Sequence, residues 1–257
     1  MASPLGSFVW YELMTTDAAA AETFYKSVIG WKAQDAGYPD FRYTLLSAGA
    51  SQVAGLMTLP REACDAGAKP GWMGYVAVDD VDDFAARFME AGGTVHRAPA
   101  DIPGVGRFAV VADPQGAVIA LFKGTGTSPP ASANTPGCPA WRELYAADGT
   151  AAFAFYSGMF GWTKGDAFDI GPMGTYQLFA TSAGGEPSGG IMTKPPNIPA
   201  PFWTYYFQVD IIAAAAARIT AAGGTIINGP MEVPGGSWIV QALDPQGAMF
   251  ALLGPKA

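Results

Sequence analysis

The chain repeats itself with a fixed displacement of 131 positions over nearly its whole length. Trp10-Tyr-Glu12-Leu13, Asp17, Phe24-Tyr25 and Gly30-Trp31 return as Trp141-Arg-Glu143-Leu144, Asp148, Phe155-Tyr156 and Gly161-Trp162. The same spacing relates Trp72 to Trp203, Ala91-Gly-Gly-Thr94 to Ala222-Gly-Gly-Thr225, and Asp113-Pro-Gln-Gly116 to Asp244-Pro-Gln-Gly247. Slippage is confined to one stretch, where Gly55-Leu-Met57 matches Gly190-Ile-Met192 at 135. A repeat this long means that one folded unit occurs twice. The 257 residues also exceed the usual size of a single domain. Residues 124–138, rich in Gly, Pro, Ser and Thr and uncharged, read as a linker between copies at 8–123 and 139–254.

Within a copy, strand and helix alternate. Aromatic and β-branched residues from Phe8 to Met14 suit a strand. Asp17 stands at an N-cap position before the alanine-rich run to Lys26, and Gly30 stops that helix. Phe41 to Ala48 and Gln52 to Thr58 read as strands, as does Trp72 to Val78. Asp79 or Asp80 caps a second helix ending at Gly92-Gly93. Phe108 to Ala112 and Ala117 to Phe122 form a hairpin across Asp113-Pro-Gln-Gly116, with proline and glycine at their preferred turn positions. Each copy is therefore two β-α-β-β-β units.

Composition narrows the functions. With 50% hydrophobic residues the chain has a large core and is not disordered. A net charge of −8 with only 14 Lys and Arg argues against nucleic acid or an anionic membrane as partner. No apolar run is long enough to span a bilayer, and no secretory signal opens the chain. Cys64 and Cys138 form no disulfide framework, so the expected compartment is the cytoplasm.

Asp eight residues before the Tyr of a Phe-Tyr pair, a nearby Gly-Trp and a closing Asp-Pro-x-Gly hairpin, all in doubled β-α-β-β-β units, resemble the vicinal oxygen chelate superfamily. That group contains glyoxalases, bleomycin-resistance proteins and extradiol dioxygenases. The resemblance implies an α+β fold of two glyoxalase-like domains, each a curved eight-stranded half-barrel around a ligand cleft. It also implies a divalent metal held by His and Glu. The first-strand His position falls at Trp10 and Trp141, the fifth-strand His at Met73 and Thr204, and the last-strand Glu at Ala120 and Ala251. None of these is a normal ligand for a transition metal. The chain has one histidine, His96, whose counterpart is Ile227. Classical metal-dependent chemistry therefore lacks its ligands, and no cofactor is expected.

Strand alternation puts Trp10, Glu12 and Met14 on one face, and Trp141 and Glu143 repeat the arrangement. Glu12 and Glu143 have two readings. Each is a desolvated carboxylate suited to general base work, or a structural group neutralised by Arg107, Arg42, Arg142 or backbone N–H groups. Trp31 and Trp162 read as core. Trp10, Trp141, Trp72 and Trp203 either fill the barrel or form an aromatic ligand wall. Trp238 stands where the first copy has Arg107, so the two clefts should differ in polarity.

Two functions follow. One is binding of a small organic ligand in aromatic-lined clefts without a metal. The other is a lyase, isomerase or hydrolase acting on a small carbonyl compound, of the methylglyoxal type by resemblance, with Glu12 or Glu143 as proton shuttle. A third possibility is a metal held weakly through Glu12, Glu143 and waters. His96, just after the Gly92-Gly93 helix stop, has a surface or loop role, and Cys64 and Cys138 lie in loop-like segments; none has partners for catalysis. A monomer or weak homo-oligomer is expected, since fused copies supply their own pairing.

Overall fold

The computed structural model describes residues 4–126 and 134–257; the central part of the expected linker lies outside them. The first repeat runs β1 (Phe8–Thr15), α1 (Ala18–Val28), β2 (Lys32–Asp35), β3 (Tyr43–Ala48), β4 (Ser51–Thr58), α2 (Arg61–Asp65), β5 (Gly71–Ala77), α3 (Val81–Glu90), β6 (Thr94–Ile102), β7 (Gly106–Ala112) and β8 (Val118–Gly124). The second runs β9 (Pro139–Ala146), α4 (Gly149–Phe160), β10 (Thr163–Asp169), β11 (Thr175–Ala180), β12 (Gly189–Thr193), β13 (Phe202–Gln208), α5 (Ile212–Ala221), β14 (Thr225–Glu232), β15 (Trp238–Leu243) and β16 (Met249–Gly254).

Each repeat builds one open, mixed, eight-stranded sheet, in the order β2-β3-β4-β1-β5-β8-β7-β6 and its equivalent β10-β11-β12-β9-β13-β16-β15-β14. The α+β architecture is thus the expected one. Strand β1 runs parallel to β4 with Glu12 opposite Gly55, and β9 parallel to β12 with Glu143 opposite Gly190. Strand β5 runs parallel to β8 with Tyr75 opposite Ala120, and β13 parallel to β16 with Tyr206 opposite Ala251.

Local chemistry sets the element ends. Asp17 and Asp148 each accept from a backbone N–H three residues on, at 3.0 Å. Asp80, not Asp79, caps α3 by accepting from the N–H groups of Asp82 and Asp83. Cys64 lies in the short helix α2, outside the loop expected for it, His96 is exposed on strand β6, in keeping with a surface position, and Cys138 is buried.

Contacts gather the chain into two compact units, and each takes elements from both repeats. One holds α3 and β6 to β8 with α4 and β10 to β12; the other holds α1 and β2 to β4 with α5 and β14 to β16. Their cores explain the repeated motifs. In the second unit the Tyr25 hydroxyl accepts from Trp72 Nε1 at 2.9 Å and donates to Asp244 Oδ2 at 3.1 Å. In the first, the Tyr156 hydroxyl accepts from Trp203 Nε1 at 3.3 Å and donates to Asp113 Oδ2 at 3.0 Å. The other oxygen of each aspartate ties its own hairpin, Asp113 Oδ1 accepting from the N–H of Gln115 and Ala117, and Asp244 Oδ1 from Gln246 and Ala248. The Phe-Tyr motif of one repeat therefore binds the Asp-Pro-x-Gly motif of the other.

Rings complete these cores. Tyr25 packs on Trp31, Trp72 and Phe250, and Tyr156 on Trp162 and Trp203. The Trp31 and Trp162 indoles donate to the carbonyls of Gly137 and Gly6. Burial, and then the Asp244 charge, raise the Tyr25 hydroxyl well above its ordinary pKa. Burial also raises that of Asp244, against the pull of its backbone N–H donors.

Candidate functional site

Strand β1 carries a carboxylate into the sheet interior. Glu12 is only 6% exposed and Glu143 7%, so each needs hydrogen-bonding partners to offset desolvation. A tyrosine on the next strand but one supplies such a partner. Tyr43 Oη, on β3, donates to Glu12 Oε1 at 2.8 Å, and itself accepts from Trp10 Nε1 at 3.0 Å. In the second repeat Tyr176 Oη, on β11, donates to Glu143 Oε1, again at 2.8 Å. Burial, followed by the Glu12 charge, drives the Tyr43 hydroxyl far above its ordinary pKa, so it stays protonated and remains a donor.

Glycine makes room for each ring. A Cβ on Gly55 would stand 1.9 Å from Tyr43 Oη, and one on Gly190 would stand 2.1 Å from the Tyr176 ring. These glycines are the ones whose repeat spacing slips to 135. The tyrosines sit 133 apart, off the 131 spacing, which hid them from the sequence comparison. The recoverable signal was an aromatic residue two positions before the residue that faces each glycine, Leu45 opposite Gly55 and Leu178 opposite Gly190.

More rings surround Tyr43. Tyr38 and Phe41 stack at 5.1 Å and meet the Tyr43 ring edge-on, with Phe41 exposed. In the second repeat Trp141 packs against a buried cluster of Tyr206, Ile239 and Ala251. Beside it a polar chain runs across the sheet, Asn228 Nδ2 donating to Gln241 Oε1 at 3.1 Å and Gln241 Nε2 to Tyr206 Oη at 2.6 Å. The position equivalent to Gln241 in the first repeat is Val110, so this chain belongs to the second alone.

The remaining expected site residues lie elsewhere. Trp72 and Trp203 are 8% and 6% exposed, held in the two cores by their bonds to Tyr25 and Tyr156. Arg107 makes a bidentate pair with Asp82, which holds the Asp82 carboxyl below its usual range, and a further bond to Asp101. Arg42 pairs with Glu22, and Arg142 donates to the Ser188 carbonyl. Two of the three arginines weighed as partners for Glu12, Arg42 and Arg107, are thus committed to other carboxylates. Arg107 borders a cavity of about 420 Å³ at the β6–β7 turn, with Lys123 and Thr125. At the equivalent place Trp238 carries the Lys256 ammonium over its ring at 4.4 Å.

The metal positions can be tested directly. An indole N–H donates and offers no lone pair, and Trp10 spends it on Tyr43. Ala120 and Ala251 present methyl groups and are fully buried, as is Thr204, while Met73 is 5% exposed. This donor set does not fit a divalent transition metal. Among the described residues no group of three or more His, Cys, Asp or Glu is placed to hold one. Nor is any described helix long and apolar enough to cross a membrane.

Residues 7–121 and 140–252 each match the family described as Glyoxalase/Bleomycin resistance protein/Dioxygenase superfamily. The chain is 34% identical over 249 residues to "Putative glyoxylase CFP32" of Mycobacterium tuberculosis, covering 96% of this chain and 94% of that protein. It is 29% identical over 263 residues to "Anthracycline biosynthesis protein DnrV" of Streptomyces peucetius, covering 96% and 93%. Among solved structures, the Mn(II)-bound glyoxalase from Novosphingobium aromaticivorans has the same fold, with a TM-score of 0.64, 16% identity and coverage of 100% and 84%.

Proposed function

The chain belongs to the glyoxalase, bleomycin resistance protein and dioxygenase superfamily, and we propose that within it the protein binds a small organic molecule against aromatic sheet faces without the family's His and Glu metal set. The observation that carries this reading is the Trp10–Tyr43–Glu12 chain: the indole at the family's first-strand ligand position donates to a phenol, which in turn donates to a carboxylate. The rings of Tyr38 and Phe41 extend the aromatic surface. In the second repeat Trp141, Tyr206 and Gln241 offer a ring wall with a polar edge. We assign ligand contact to Trp10 and Trp141 and, each in its own setting, to Arg107 and Trp238, which differ in polarity, and a core role to Trp72 and Trp203. The relative named for anthracycline biosynthesis supports a flat polycyclic guest.

A second reading rests on the tyrosine–carboxylate contacts at 2.8 Å in both repeats. Glu12 or Glu143 would shuttle a proton on a small carbonyl compound, and the relative named a glyoxylase supports that class. Titration calorimetry with planar aromatic compounds, in parallel with methylglyoxal turnover, separates the two. The binding reading predicts a saturable isotherm weakened by Trp10→Ala and no turnover. Turnover abolished by Glu12→Gln or Glu143→Gln in folded protein would establish the second reading instead.

A further inference from the structure

The β6–β7 turn carries a hollow whose walls are fixed by the backbone. Pro103 and Gly104 stand at the centre of a turn closed by the Val105 N–H on the Ile102 carbonyl at 3.0 Å, and Gly104 takes φ +74° there. Thr125, just past β8, fastens this turn to the sheet. Its N–H donates to the Val105 carbonyl at 2.9 Å, and its hydroxyl is shared between the carbonyls of Gly104 and Val105 at 3.2 and 3.1 Å. Ile102 and Pro103 give the cavity of about 420 Å³ an apolar wall, while Gly104, Gly106 and Gly124 line it without side chains to fill it. That volume lies in the range of small-molecule sites.

Charged groups stand along it in a row. Asp101, Arg107 and Lys123 are register partners on β6, β7 and β8, so their side chains leave the same face of the sheet. Arg107 spends Nε and Nη2 on Asp82 and Nη1 on Asp101, three of its five N–H donors. Two carboxylates thus balance that guanidinium. Lys123, exposed beside it, is in no ion pair among the described residues, so the hollow meets one uncommitted cation next to the remaining Arg107 donors. The second repeat lacks this arrangement. Trp238 and Gly254 stand in register where the first repeat has Arg107 and Lys123, and the Lys256 ammonium already sits over the Trp238 ring.

We propose that this hollow binds a small carboxylic acid with an apolar body, the body lying against Ile102 and Pro103 and the carboxylate taking Lys123 and the remaining N–H groups of Arg107. The proposal rests on the assignment of ligand contact to Arg107, names the class of ligand, and is independent of the Trp10 face. Lys123 sets the selectivity: Asp101, Arg107 and Lys123 are the charged groups that line the hollow, and their one net positive charge is that of Lys123. The net charge of −8 works against any anion at long range, so a preference for an anion here arises from contact.

Two probes with the same ring frame and opposite charge test it: 2-naphthoate and 2-naphthylmethylammonium. Each is titrated at physiological salt, with the amide resonances of Gly104, Gly106 and Gly124 reporting this hollow and the Trp10 indole N–H reporting the other face. The expected result is that the naphthoate shifts the glycine amides with a Kd about fivefold lower than that of the ammonium, the upper ratio that one exposed ion pair supplies. Lys123→Gln should abolish that preference and Lys123→Glu should reverse it. Both replace an exposed side chain outside the ion pairs, and circular dichroism verifies that they fold. Equal or tighter binding of the ammonium to the wild type, or an unchanged preference in Lys123→Gln, overturns the proposed selectivity and leaves ligand contact at Arg107 standing. Shifts at Trp10 alone remove the ligand role of Arg107, and this proposal with it, while guest binding at Trp10 survives. No shift at any of these resonances overturns the guest at Trp10 and the acid at Lys123 together.

Discussion

Asp244 shows how one side chain links two motifs that look independent in the chain. Its Oδ1 closes the hairpin of the second repeat, and its Oδ2 takes the hydroxyl hydrogen of Tyr25 from the first. Burial is the largest influence on its carboxyl and raises its pKa, so the folded protein holds a proton there more tightly than the unfolded chain does. A raised folded pKa stabilises the fold fully below the ordinary aspartate range, and that contribution is lost as pH climbs through the folded value. Asp244→Asn removes this group from the titration. Urea denaturation over mildly acidic pH should therefore show the wild type losing stability relative to the variant as pH rises from about 4. A constant difference across that range would show that Asp244 titrates alike in both states.

The six repeat-paired tryptophans were visible in the chain, and Trp31 and Trp162 read as core, but the division of the other four between core and sheet face was not legible. Trp10 shares a strand face with Glu12. On β5, Met73 and Tyr75 occupy one face and Trp72 the opposite one, so Trp72 turns to Tyr25. A displacement of one residue along a strand reverses the face, and residue type alone does not report it. Tyr43 and Tyr176 stayed hidden for a related reason, since their pairing with Glu12 and Glu143 depends on strand order, which periodicity does not encode.

Among the elements, the helices followed their caps and the edge strands left little trace. Strands β6 and β14 lie at sheet edges and are largely exposed, so they lack the alternation by which interior strands are recognised. Helices α3 and α5 are repeat-equivalent, yet only α3 has a side-chain cap. Asp80 has φ −144° and ψ 111°, and Ile211 holds nearly the same backbone, φ −141° and ψ 118°, with no capping oxygen. Ile211 is also 41% exposed. Ile211→Asp should therefore stabilise the protein by about 0.5–2 kcal/mol, read as a higher urea midpoint at unchanged slope. An unchanged or lower midpoint would mean that the Ile211 side chain contributes packing worth more than the missing cap.

At the scale of the whole chain, the sheets follow the repeats while the compact units mix them. Bonds within each unit join one repeat to the other, as between Tyr25 and Asp244, Tyr156 and Asp113, and Arg218 and the Val28 carbonyl. A protease site introduced between Gly126 and Asn134 tests this dependence. After cleavage the two fragments should co-elute as one folded species, whereas either repeat expressed alone should fail to give a cooperative unfolding transition. Fragments that separate and remain individually folded would contradict the interlocked arrangement.

The same scale holds the central proposal, that an organic guest binds against Trp10 and Trp141 without the family's metal. Titration of a planar aromatic compound, such as the three-ring 9-aminoacridinium, into protein before and after exhaustive chelation measures this in one experiment. Superimposable isotherms, with less than a stoichiometric transition ion released by the chelator, are the predicted result. An isotherm abolished by chelation and restored by one divalent ion per repeat would contradict it.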